Sequence, residues 1–183
     1  MIAESLADAR RKMEHAVDHV ASEFTTVRTG RANPQILHRI NIDYYGTPTP
    51  LQQLASFSVP DPRLLVVQPY DRGSMGVIEK AIKASDLGLN PSNDGVVIRL
   101  SFPPLTEERR RELIKVVRHM AEEGRVAVRN IRRHVKDDIE ALHGELSDDD
   151  IRRGEKDLQD LTDRQVHRID DLLSNKESEL LEV

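Results

Sequence analysis

Apolar side chains near the N-terminus recur in steps of three and four, at Ile2, Leu6, Ala9, Met13, Val17, Val20, Phe24 and Val27. That spacing puts them on one stripe of a helix, so the segment predicts an amphipathic helix with one buried face. Gly30 and the following Asn33-Pro34 place its predicted end at Gly30, because Pro cannot supply the N–H that continuation needs. A second stripe follows Pro103-Pro104 and runs Leu113, Val117, Met120, Gly124, Val128, Ile131, Val135, Ile139, Leu142. Thr106 is its expected N-cap, and Glu107 and Glu108 suit the positive end of the helix. Near Gly144 the pattern stops. Ser147 followed by Asp148, Asp149 and Asp150 starts a third helix, whose stripe is Ile151, Leu158, Leu161, Ile169, Leu172, Leu173 and Leu180. Long helices with short connections pack as antiparallel neighbours.

The pattern changes in kind between residues 31 and 104, which hold all nine Pro and five of the six aromatic residues. "RINIDYY", "LASFSV", "LLVV" and "VVIRLSF" read as strands. "GVIEKAIKASDLG" reads as a helix with Val77, Ile78, Ala81 and Ile82 inward and Gly88 at its end, and Asn93-Asp94-Gly95 reads as a turn. The expected fold is therefore α+β: an elongated antiparallel three-helix bundle, residues 1–30 and 105–183, with a small β/α domain, residues 31–104, inserted into it. Two stretches of chain, "TGRANP" and "FPPLTEE", join the parts and permit a two-stranded hinge.

Composition supports exposed helices around a thin core, since 38% of residues are apolar, 32% charged and only 3% aromatic. Cys is absent, which excludes disulfides and thiolate chemistry. No apolar run approaches the roughly 20 residues of a membrane span. The N-terminus has no apolar signal core and carries Glu4, Asp8, Glu14 and Asp18, so the expected location is the cytoplasm with no membrane partner.

Catalytic signals are weak. His15 and His19 have the i, i+4 spacing of a metal pair but lack the Glu of a metalloprotease helix. "GSMG" at 73–76 has the form of a phosphate-gripping turn, though any turn before a helix uses the same residues. Neither a P-loop nor a dinucleotide fingerprint is present. The expectation is no catalytic residue, no metal, no cofactor and no small-molecule substrate.

Charge is more informative. The chain carries a net −5, yet "RVAVRNIRRHVK" at 125–136 holds five basic residues and no acidic one. At about 100° per residue, Arg125, Arg129, Arg132, Arg133 and Lys136 fall within roughly 100° of arc, away from the apolar stripe. One reading is a solvated face salt-bridged to the acidic third helix, where such pairs contribute little. The other is a ridge matching regularly spaced phosphates, for which Arg is the better fork. Charge alone leaves both open.

"VRTGRANP" at 27–34, "DYYGTPTPLQQLAS" at 43–56, "IEKAIKASDLGLNP" at 78–91, "PPLTEERRREL" at 103–113 and "RVAVRNIRR" at 125–133 together resemble the bacterial ribosome recycling factor family. The resemblance runs the length of the chain. It implies a three-helix bundle and a β/α/β domain joined by a two-stranded hinge, in a tRNA-like outline. It also implies a non-enzymatic factor that acts after termination. With elongation factor G and GTP hydrolysis by that factor, it separates the ribosomal subunits and frees mRNA and tRNA. By the family motif, Arg129, Arg132 and Arg133 are expected on large-subunit rRNA, with Arg125 and Lys136 extending the ridge. Gly30, Arg31, Ala32, Pro103, Pro104 and Leu105 are expected at the hinge, and Arg28 beside it. The family usually has an acidic residue after the Arg pair, where this chain has His134. The implied partners are the ribosome and elongation factor G, and the implied state is a monomer. Two other classes compete with this reading: a helical RNA-binding arm without a splitting role, and a metal enzyme built on His15 and His19.

Overall fold

Two glycines show how the long helices meet. A computed structural model describes residues 1–182; residue 183, the last of the expected bundle, lies outside the described residues. In chain order the elements are α1 (Ile2–Thr26), β1 (Asn41–Tyr44), β2 (Thr47–Pro50), β3 (Ala55–Asp61), β4 (Leu64–Pro69), α2 (Met75–Ala84), β5 (Pro91–Asn93), β6 (Ile98–Ser101), α3 (Glu107–Glu140) and α4 (Asp148–Leu181). Gly124 of α3 lies against Val20 of α1 and Ile169 of α4. Gly154 of α4 lies against Ile2 of α1 and Ile139 of α3. The two layers fix the directions: α3 runs antiparallel to both α1 and α4, and α1 and α4 run the same way. At about 1.5 Å per residue the 34 residues of α3 extend roughly 50 Å.

The bundle core is formed by the predicted stripes. Ala9, Met13, Val17, Val20 and Phe24 are buried on α1; Leu113, Val117, Val128, Val135 and Ile139 on α3; Ile151, Leu158, Leu161, Ile169 and Leu180 on α4. Ala121 rather than Met120 takes the innermost place on the third turn of that stripe, and Leu172 and Leu173 are half-buried. Two polar side chains in the core are satisfied locally: the Thr162 hydroxyl donates to the Leu158 carbonyl, and Gln165 accepts from Arg168. The expected cap at the start of α4 is present, the Ser147 Oγ accepting the Asp150 N–H at 3.2 Å.

Helix α1 ends at Thr26, four residues before the predicted end at Gly30. Val27 turns to extended backbone, φ −84° and ψ 113°, and buries its side chain. The hydroxyls of Thr25 and Thr26 donate to the carbonyls of Ser22 and Glu23, a local competition that weakens helix propagation. Gly30 is left-handed, φ +77°, but it lies in the connection rather than at the helix end.

By contact, the chain divides into two units, Met1–Arg28 with Glu107–Glu182, and Thr29–Thr106. The second unit is a four-stranded antiparallel sheet in the order β3-β4-β6-β5, together with a separate β1–β2 hairpin and α2. Its core gathers Leu37, Ile42, Leu51, Leu65, Val67, Ile78, Ile82, Ile98 and Leu100. Tyr45 and Gly46, at φ +51° and +81°, form the two-residue hairpin turn between Tyr44 and Thr47. Strands β2 and β5 have no counterpart in the sequence reading. Thr47-Pro48-Thr49-Pro50 carries two prolines, tolerated because β2 pairs on one side only. The three residues of β5 are too few to show a period. Helix α2 ends at Ala84, before Gly88, and Val77 is exposed rather than inward. Met75 takes the inward place one turn before Ile78 and Ile82, leaving Val77 on the outer side.

Candidate nucleic-acid interface

Helix α3 holds the five basic residues in register, and partners on both α3 and α4 decide what four of them face. Four of the five follow the seam between the two helices, and Arg133 stands outside it. Arg125 is pinned: its Nε and Nη2 donate to Asp170 at 2.8 and 2.6 Å, its Nη1 to Glu122 at 3.0 Å, and only 18% of its side chain is exposed. Arg129 is 46% exposed and makes one ion pair, Nη1 to Glu122 at 3.2 Å. Arg132 donates to the neutral Gln159 at 3.3 Å. Lys136 pairs with Glu140 at 3.1 Å and lies 4.0 Å from Glu155. Arg133 is exposed, and among the described residues it has no ion pair or hydrogen bond. His134, beside it, is exposed too.

Electrostatics follow from these contacts. Hydrogen bonds from Arg125, then Arg129, hold the Glu122 carboxyl below the usual range. Burial opposes the charge of Arg125, and its hydrogen bonds to Asp170 and Glu122 more than offset that and raise its pKa. The hydrogen bond to Glu140, and then the charges of Glu140 and Glu155, raise the pKa of Lys136. An open groove of ≈ 390 Å³ runs beside Arg129 and Arg132, with Gln159, Asp163 and Asp170 on its α4 side. The arrangement presents a graded face: a fixed cation at Arg125, partly engaged ones at Arg129, Arg132 and Lys136, and an open one at Arg133.

Glu122 and Asp170 were absent from the sequence reading of this face. The stretch from 125 to 136 has no carboxylate, but Glu122 precedes it by one turn and falls inside the same arc on the helical wheel at about 100° per residue. That signal was readable. Asp170 was not, because its pairing depends on how α3 and α4 lie against each other.

The connections carry the other expected residues. Segments 27–33 and 102–106 have no helix or strand. Arg28, Gly30, Arg31 and Ala32 lie in the first, and Pro103, Pro104 and Leu105 in the second. The Ala32 N–H donates to the Pro62 carbonyl and the Phe102 N–H to the Arg63 carbonyl, each at 2.8 Å, so both segments are tied to the β3–β4 turn.

The remaining candidate chemistry resolves into local structure. Asp71 accepts the Gly73 N–H at 2.9 Å and its carbonyl accepts the Ser74 hydroxyl, so the "GSMG" turn is already capped by a carboxylate, which would repel a phosphate. His15 and His19 are exposed, and His19 lies 3.5 Å from Glu23. Among the described residues, no group of three or more His, Asp or Glu side chains is arranged to hold a metal ion. No helix of the described chain is long and apolar enough to cross a membrane.

Comparison with known proteins finds a matching family for the chain. Residues 20–181 match the family described as ribosome recycling factor. The chain is 57% identical to the ribosome-recycling factor of Acidothermus cellulolyticus over 185 residues, covering 100% of each, and 57% identical to that of Rubrobacter xylanophilus, covering 97% of each. It is similar to a solution structure of the ribosome recycling factor, with a TM-score of 0.78 and 41% identity over 100% of this chain and 98% of the other. A second similar chain comes from models for the T. thermophilus ribosome recycling factor and the E. coli elongation factor G bound to the E. coli post-termination complex. There the TM-score is 0.66 and the identity 45%, over 99% of each chain.

Proposed function

The chain belongs to the ribosome recycling factor family, and from that premise we propose that it disassembles the post-termination ribosomal complex. It acts with elongation factor G, whose GTP hydrolysis drives the step, to part the subunits and release mRNA and tRNA for another round of translation. The chain itself is a translation factor and not an enzyme; the GTPase chemistry belongs to elongation factor G.

Large-subunit rRNA is the partner that the α3 face fits best. The observation that carries this is the outer face of α3, where the exposed Arg133 stands beside the partly exposed Arg129 and Arg132 on one rigid helix. Phosphates along an RNA backbone are regularly spaced acceptors, and guanidinium groups at fixed helical intervals meet them with little loss of freedom. Arg125 and Lys136 flank this set and extend its field, though their own carboxylates hold them closer to the protein. The chain works as a monomer in the cytoplasm, where the post-termination complex is found.

Gly30, Arg31, Ala32, Pro103, Pro104 and Leu105 form the hinge in this proposal, with Arg28 at its edge. Two irregular segments, outside any helix or strand, are where backbone angles change at least cost. The bundle anchors on RNA, and elongation factor G works on the inserted unit.

The decisive experiment is subunit splitting with purified post-termination ribosomes, elongation factor G and GTP. Rapid dissociation on adding the chain is expected, and its absence overturns the proposal. Replacing Arg129, Arg132 and Arg133 together by Glu should weaken binding to large subunits by at least tenfold and flatten its dependence on salt, since each lost phosphate contact removes roughly 0.7–0.9 from the log–log slope. Unchanged affinity and slope would reduce the ridge to a solvated face.

A further inference from the structure

Three cations of the α3 face differ in how firmly the protein itself holds them. Arg125 makes contacts through Nε, Nη1 and Nη2 and is largely buried, so it is a strut between α3 and α4. Arg133 stands open. Arg129 is intermediate: its one carboxylate partner, Glu122, is an exposed side chain whose other oxygen is held by Arg125 at 3.0 Å.

We propose that Glu122 is a built-in competitor for phosphate at Arg129, and that it sets how tightly the factor holds RNA and how quickly it lets go. The inference rests on the reading of the α3 arginines as an RNA grip. In the unbound protein the carboxylate occupies the Arg129 guanidinium at 3.2 Å. An arriving phosphate oxygen takes over that donor, because it offers the same charge-assisted hydrogen bond. Glu122 does not then swing away. Its second oxygen stays on Arg125, and Arg125 stays on Asp170, so the negative charge remains one turn along the helix from the bound phosphate. The like-charge repulsion that results lowers affinity and favours release. When the phosphate leaves, the carboxylate is already in place to recapture Arg129.

Glu122 therefore acts through Arg129 as a positioning residue. Asp170 is the anchor that keeps the pair from drifting. Glu123, one position along, is exposed and directed elsewhere, lying 3.3 Å from His119. Removing its charge alters the net charge by the same amount without touching the Arg129 site.

The test measures equilibrium affinity and dissociation rate of the full chain on isolated large ribosomal subunits, at several salt concentrations, for Glu122→Gln, Glu123→Gln, Arg129→Gln, Arg133→Glu and the Glu122→Gln/Arg129→Gln double variant. Glu122→Gln should bind about 2- to 5-fold tighter and dissociate correspondingly more slowly, the size of one half-exposed ion pair. Glu123→Gln should match the unaltered chain. The gain from Glu122→Gln should vanish in the Arg129→Gln background, which a double-mutant cycle reads directly. If Glu122→Gln binds no tighter while Arg129→Gln binds more weakly, the competitor role is refuted and the RNA grip survives. An equal gain in Glu123→Gln also refutes it, in favour of overall charge. If Arg129→Gln and Arg133→Glu both bind as the unaltered chain does, the grip itself is wrong.

Discussion

In the bundle a residue's role follows from its angle on a helix; in the inserted unit it follows from which turn it closes. Val128 and Arg129 are neighbours in sequence, yet one is fully buried and the other lines the outer seam, because successive residues sit about 100° apart. In the inserted unit, Asp61, Asp71 and Asp94 each accept a backbone N–H two residues on, and these turns place the strands and α2. The contrast matches the two jobs proposed for the parts. A long regular helix presents charges at fixed spacing, whereas a compact sheet closed by turns gives a small rigid body for a partner to act on.

The contrast breaks hardest in the core of the inserted unit. Ile98 is fully buried on β6, which pairs with both β4 and β5. Ile98→Ala should destabilise that unit by about 2–5 kcal/mol. Hydrogen exchange should then rise across residues 41–101 and stay slow in α3 and α4; uniform loss of protection would show that the two parts unfold together.

A smaller effect tests the helix layers. A methyl at Gly124 would run into Val20 and approach Ile169 to 3.3 Å, both fully buried or nearly so. Overpacking costs about 1–3 kcal/mol, against roughly 1 kcal/mol gained in helix propensity. Gly124→Ala should therefore lower the unfolding midpoint in denaturant. Gly154→Ala meets the Ile2 methyl at 2.9 Å, on a half-buried side chain in the first turn of α1 that can shift. It should be neutral or stabilising, and equal losses at both sites would remove the distinction between the layers.

The smallest effect concerns acid. Asp94 accepts the Val97 N–H, then pairs with Arg99 and accepts the Val96 N–H, and these hold its carboxyl far below the ordinary value of 3.8. A carboxyl lowered on folding stabilises above its unfolded pKa of about 4, and that contribution fades as pH falls through the folded value. Thermal melts should show the inserted unit losing stability below about pH 4. Asp94→Asn should flatten that fall, and an unaltered slope would assign it to other carboxylates.

Much of this could be read before any coordinates. The stripes on the three long helices, the Ser147 cap and the Asn93-Asp94-Gly95 turn all rest on patterns within a few residues of chain. The errors have a common cause. Strand β2 is rich in Pro and β5 spans only three residues, so each owes its existence to a partner strand rather than to its own pattern. Helix α1 stops at Thr26, where Val27 turns to extended backbone and buries its side chain against the rest of the bundle unit.

For the proposed binding face, the residue types, their spacing and the arc they share were legible in the bare chain, since those depend only on the pitch of one helix. The family resemblance was legible there too. The state of Arg125 and Arg132 is a matter of packing: Asp170 reaches Arg125 and Gln159 reaches Arg132 across a seam that separates them by 45 and 27 residues of chain. Side-chain pairing over such separations depends on how two helices pack, to within the reach of a hydrogen bond, and no local pattern encodes that.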